Sequence, residues 1–170
     1  MSRMIPRPAA IERPRLNIYG YNCVGKHLGM ALVVCGSLFV GAGTFQWDWA
    51  WIFTALTLIG WVILSLVLMI ANPELLNERG ERVKDLKGTK RWDWGIMTVY
   101  ASLLVATPLV AGLDYRNAWS SSVSDGIKIT GLAVLVMSFV PLTWSMAVNR
   151  FFEATVRIQT SRGHQVVTSG

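Results

Sequence analysis

The sequence predicts an all-α, polytopic membrane protein with four transmembrane helices, and three observations carry that expectation. The first is clustering of apolar residues. The stretches 28–45, 50–70, 94–113 and 129–148 contain no Asp, Glu, Lys or Arg, and each approaches the ~20 apolar residues a helix needs to cross a ~30 Å hydrocarbon core. The second is composition: 15% charged and 52% hydrophobic residues, where a soluble domain carries about a quarter charged. The third is where the charges fall. Basic residues gather in the arm (Arg3, Arg7, Arg13, Arg15, Lys26), between the second and third stretches (Arg79, Arg82, Lys84, Lys87, Lys90, Arg91) and in the tail (Arg150, Arg157, Arg162), leaving only Arg116 and Lys128 elsewhere. Short Lys/Arg-rich loops stay cytoplasmic, so four spans with both termini inside put every basic segment on one side. Three or five spans would break that agreement.

Residues 1–26 read as a basic, Pro-containing cytoplasmic arm, with Pro6, Pro8 and Pro14 among arginines and few apolar residues; it is expected to be extended near anionic head groups. The first span is not a signal peptide. An arginine-bearing arm precedes it and no small-residue cleavage pattern follows it.

The turn Gln46-Trp47-Asp48-Trp49-Ala50-Trp51 brings three indoles to one level. Trp favours the membrane boundary because its ring is apolar while its N–H needs a wet partner. Trp47, Trp49 and Trp51 therefore read as interfacial anchors, as do Trp92 and Trp94 at the entry to the third span. An aromatic ligand cage is the less favoured alternative.

After the second span, Asn72-Pro73-Glu74 has the form of a helix start. Asn can cap, Pro suits the first helical position and Glu complements the dipole. Leu75, Leu76, Val83 and Leu86 recur near helical spacing among charges, so loop 72–93 is expected to form a short amphipathic segment on the cytoplasmic surface, broken at Gly80. Pro108 and Pro141 should kink the third and fourth spans. Gly25 and Gly29 are spaced for close helix approach. Val148, Phe151, Phe152, Thr155, Val156 and Gln159 keep a helical period beyond the fourth span, so residues 149–170 are expected to begin as a helix running into the cytoplasm to about Ser161 and ending at Gly163.

The net charge of +6 is explained by topology rather than by nucleic acid. Candidates for chemistry are sparse. The chain has no glycine-rich phosphate loop, no His pair at ligand spacing and no Cys-x-x-Cys, so no metal is expected. His27 and His164 stand apart and read as interfacial polar residues. Cys35 reads as a packed residue and Cys23 as an apolar contact at the membrane edge. With spans drawn at these bounds no ionisable residue enters a span interior, which argues against a pump or ion-coupled transporter.

Two stretches resemble a family. Asn72-Pro73-Glu74-Leu75-Leu76, Glu78-Arg79-Gly80, Lys87-Gly88 and Lys90-Arg91-Trp92-Asp93 look like the cytoplasmic loop of bacterial isoprenylcysteine carboxyl methyltransferase-like (ICMT-like) membrane proteins. Asn149-Arg150-Phe151-Phe152, Val156-Arg157-Ile158-Gln159 and the segment from Arg162 to Gly170 are similar to the approach to their catalytic region. The resemblance covers residues 72–170. It implies an S-adenosylmethionine-dependent methyltransferase acting on a lipid-like acceptor. It also implies that Asn149, Arg150, Arg157 and His164 approach a pocket edge; contact with lipid phosphates is the alternative. In the family, Gly-Pro-Tyr-Arg, Arg-His-Pro and Glu-rich segments that hold the cofactor follow at the position of Gly170. The 170 residues are therefore expected to hold no cofactor and to be inactive alone, because methyl transfer needs donor and nucleophile held in line.

A second reading is a non-catalytic accessory subunit packed against a larger membrane protein complex, with its basic faces on anionic lipid. A third is the related membrane reductases that use a nicotinamide cofactor.

Overall fold

Hydrocarbon leaves a backbone no partner but itself, so each long apolar stretch closes into a helix. A computed structural model describes residues 15–81, 91–120, 123–149 and 151–152. Five helices follow in order: α1 Ile18–Ala42, α2 Asp48–Ala71, α3 Pro73–Glu81, α4 Arg91–Asn117 and α5 Asp125–Val148. No strand occurs among the described residues. Helices α1, α2, α4 and α5 are long and apolar enough to cross a membrane, and the shortest spans ~36 Å at 1.5 Å per residue. The chain is an integral membrane protein with four spanning helices.

Helix α1 begins ten residues ahead of the expected span, so the arm is shorter than 1–26. The Asn17 side chain accepts hydrogen bonds from the Tyr19 and Gly20 amides at 2.9 and 3.2 Å, filling the N-cap that polar Asn22 and Lys26 concealed from a reading based on apolar runs. The earlier start also corrects the expectation that no ionisable residue lies on a span: Lys26 and half-buried His27 are α1 residues. At its other end α1 closes on Gly43, whose φ of 68° suits glycine and whose amide bonds Phe39 O at 2.9 Å.

The four long helices pack as a row, α4 on α1, α1 on α2 and α2 on α5. Lipid offers no hydrophobic drive to bring two helices together, so close backbone approach and interhelical hydrogen bonds decide where they touch. Between α1 and α4, a Cβ added at Gly41 would strike Leu109 O, and one at Gly112 would strike Leu38 O and lie 2.7 Å from Ala42 N. Ser37 Oγ lies 3.2 Å from Val105 O across the same contact while donating within α1 to Val34 O at 2.7 Å. Between α2 and α5, the Phe139 ring covers Gly60, 2.5 Å from where a Cβ would sit, and meets Trp61 edge-on at 6.1 Å. Gly25 and Gly29 do not mediate close approach, for nothing lies within 4 Å of a Cβ added at either.

Helix α3 follows α2 after a single residue, Asn72. Pro73 is its first residue and Asn72 Oδ1 accepts from Leu75 N at 3.3 Å, as a capped start requires. Gly80 is the penultimate residue of α3 as described, and its missing side chain lets the helix sit directly on the Tyr19 carbonyl. The apolar face turns into protein, with Leu75 and Leu76 fully buried beside Leu64 and Leu68 of α2, Cys23 of α1 and Met146 of α5. Val83 and Leu86 lie outside the described residues.

A second correction concerns the fourth span. It does not run past Val148 as one helix: Asn149 ends α5 with φ −103° and ψ 101°. Its Oδ1 accepts from Phe151 N at 2.9 Å, and Phe152 N bonds Asn149 O at 3.2 Å. The local side-chain bond offers the backbone an alternative to helix. The expected continuation to Ser161 lies outside the described residues.

Candidate functional site

Polar side chains concentrate at the α3 end of the bundle, where the start of α1, all of α3 and the ends of α2 and α5 converge. Three asparagines build the junction. Asn17 caps α1. Asn77 of α3 faces the strand of chain entering α1, donating through Nδ2 to Arg15 O and accepting at Oδ1 from Asn17 N, both at 2.9 Å. Asn72, buried between α2 and α3, donates through Nδ2 to Met146 O at 2.8 Å. In this way Asn72 and Asn77 tie the α3 segment to the end of α5 and to the start of α1 through main-chain atoms.

Arg79 adds the fourth tie. Its Nε and Nη2 donate to Phe152 O at 3.2 and 3.0 Å, and its guanidinium stands 5.4 Å from the centroid of the Phe152 ring. A forked donor over an aromatic face is a geometry suited to Arg and not to Lys.

Above this junction, a seam of polar groups runs between α1 and α2. His27 Nε2 lies 3.8 Å from Cys23 Sγ, and its ring lies 5.2 Å from that of Trp61. Thr57, Ser65 and His27 Nδ1 have no hydrogen-bond partner among the described residues.

The sequence-predicted positions separate. Asn149 belongs to the junction as the residue that ends α5, and is exposed. Arg150, Arg157 and His164 lie outside the described residues. The indoles sit at helix ends with individual partners. Trp47 stacks on Tyr115 at 4.2 Å, Trp49 lies 5.3 Å from the Lys128 ammonium, and Trp51 Nε1 donates to Phe45 O at 2.8 Å. Trp92 and Trp94 are exposed. Sequence reading missed Asn17, Asn77 and the reach of Asn72. The nearest signal was the expected cap at Asn72, since the partners Met146 and Phe152 lie more than 70 positions away.

Among the described residues no three His, Cys, Asp or Glu side chains cluster as a metal site. The junction's asparagines and Arg79 bond main-chain atoms of the junction itself, and the groove between α2 and α5 is lined by apolar side chains and Trp49. What the arrangement does is clamp: it fixes where the chain leaves α5 relative to where it enters α1.

Compared with known proteins, the chain matches no family model, no curated protein and no solved structure.

Proposed function

We propose that this chain is the membrane-embedded portion of an ICMT-like, S-adenosylmethionine-dependent methyltransferase, in which residues 15–152 form the platform and cofactor binding falls to other segments. The observation that supports this reading is the Arg79–Phe152 tie. It joins the two stretches that carry the resemblance, which lie far apart in sequence, into one rigid exit for whatever follows α5. In this reading the α3 end faces the cytoplasm of a bacterial inner membrane with both termini inside, as the distribution of Lys and Arg requires. Anionic lipids contact the basic segments of that face.

A specific observation favours a second reading, a non-catalytic accessory subunit of a larger membrane complex. The row arrangement leaves α4 and α5 at its two ends, with only 6% of each spanning window buried, and such flanks suit packing against helices of another protein as well as lipid.

The experiment is purification from the native membrane with partners retained, followed by intact-mass measurement and a radiolabelled methyl-transfer assay on an isoprenylcysteine acceptor. A mass well above 18.9 kDa with transfer above the no-enzyme rate supports the methyltransferase. A mass near 18.9 kDa in a stable complex without transfer overturns it and supports the subunit.

A further inference from the structure

Helices α2 and α5 both begin at the end of the bundle opposite α3, and a groove runs between their first turns. The groove holds ≈ 520 Å³ and is walled by Ile52 and Leu56 of α2 and by Leu132, Ala133, Val136 and Met137 of α5, with Trp49 and Ile129 at its upper edge. Trp49 is the second residue of α2 and Ile129 the fifth of α5, so the groove starts at the boundary level and descends along the helices.

We propose that this groove binds one zwitterionic phospholipid with a primary ammonium head group, of the phosphatidylethanolamine type, with an acyl chain between α2 and α5. The lining decides for an acyl chain: the walls are apolar side chains of α2 and α5 that offer a chain lying along them nothing but van der Waals contact.

The mouth decides the head group. Lys128 Nζ stands 5.3 Å from the centroid of the Trp49 ring and 2.9 Å from Asp125 Oδ1, one residue above Ile129. Asp48 opens α2 immediately before Trp49. A cation flanked by acidic residues suits a phosphate on Lys128 and an ammonium on the exposed Asp125 carboxylate, whose side chain is 71% accessible. A purely anionic head group meets one attractive charge and two repulsive ones; a head group without charge meets none. The inference is independent of the methyltransferase reading.

The test uses the purified full-length protein, delipidated in detergent and titrated during native mass spectrometry with dioleoyl-phosphatidylethanolamine, dioleoyl-phosphatidylglycerol or dioleoylglycerol. The expected result is one phosphatidylethanolamine bound in preference to the other two. Ala133→Trp, which fills the groove from an exposed position, weakens that binding by roughly tenfold through lost apolar burial. Lys128→Ala weakens it by about two- to fivefold, the range for an exposed ionic contact. Equal retention of all three lipids, or binding unaffected by Ala133→Trp in a protein of unchanged thermal stability, means nonspecific surrounding lipid and overturns the site. A dimer that Ala133→Trp dissociates assigns the groove to a second copy instead.

Discussion

Asn72 and Met146, 74 positions apart, are joined by a 2.8 Å hydrogen bond from the Asn72 amide to the Met146 main-chain carbonyl. The bond lies in the buried centre of the α3 end, and the same side chain caps α3 through Leu75 N. One residue thus starts a helix and ties that helix to the last span.

Asn72→Ala removes the donor to Met146 and the cap together. An unpaired buried carbonyl costs ~1–3 kcal/mol and a lost cap ~1 kcal/mol. Unfolding in graded sodium dodecyl sulfate should show a loss of that order. Wild-type stability would mean the bond contributes nothing.

The glycines are expected to divide by contact rather than by spacing. Gly80→Ala forces a methyl group onto the Tyr19 carbonyl and Gly112→Ala onto that of Leu38, each costing ~1–3 kcal/mol as overpacking. Gly25→Ala and Gly29→Ala meet nothing within 4 Å and should stay within about 0.5 kcal/mol of wild type. Thermal unfolding of the four variants in one detergent distinguishes the sets, and equal effects would contradict the helix row.

Arg79→Lys keeps the charge but loses the fork to Phe152 O. In a double-mutant cycle of Arg79→Ala with Phe152→Leu, the two residues should show a coupling of about 0.5–1 kcal/mol from the cation–aromatic contact. Additive single effects would reduce Arg79 to its main-chain bonds.

Single cysteines at exposed Gln46, Ser124 and Glu81, in a background with Cys23 and Cys35 replaced by Ala, test the topology by labelling intact cells with a membrane-impermeant maleimide. Gln46→Cys and Ser124→Cys should label from outside and Glu81→Cys only after lysis. Labelling of all three from one side would dismantle the four-span arrangement.

The capped start at Asn72-Pro73 was legible because cap chemistry is local: a side chain acting three residues away leaves its mark in a short window of sequence. The start of α1 was not. Its first turns carry Asn17, Asn22 and Lys26, and their helicity depends on a cap that Asn77, 60 positions away, holds in place. The end of α5 went unread for the opposite reason, since a local bond from Asn149 competed with a helical period that continued on paper. At the junction, Arg79 looked like one basic residue among many, and only its meeting with Phe152 gives it a role.

The sequence by itself determined four helices long and apolar enough to cross a membrane. They follow from a rule the chain cannot evade, because backbone in hydrocarbon must bond to itself. Tertiary structure alone decided the order α4, α1, α2, α5 and the choice of Gly41, Gly60, Gly80 and Gly112 over Gly25 and Gly29 as contact points. It also decided the groove beside Lys128. Helices apolar on every side carry no stripe that names their neighbour, so backbone approach and a few buried hydrogen bonds make the selection.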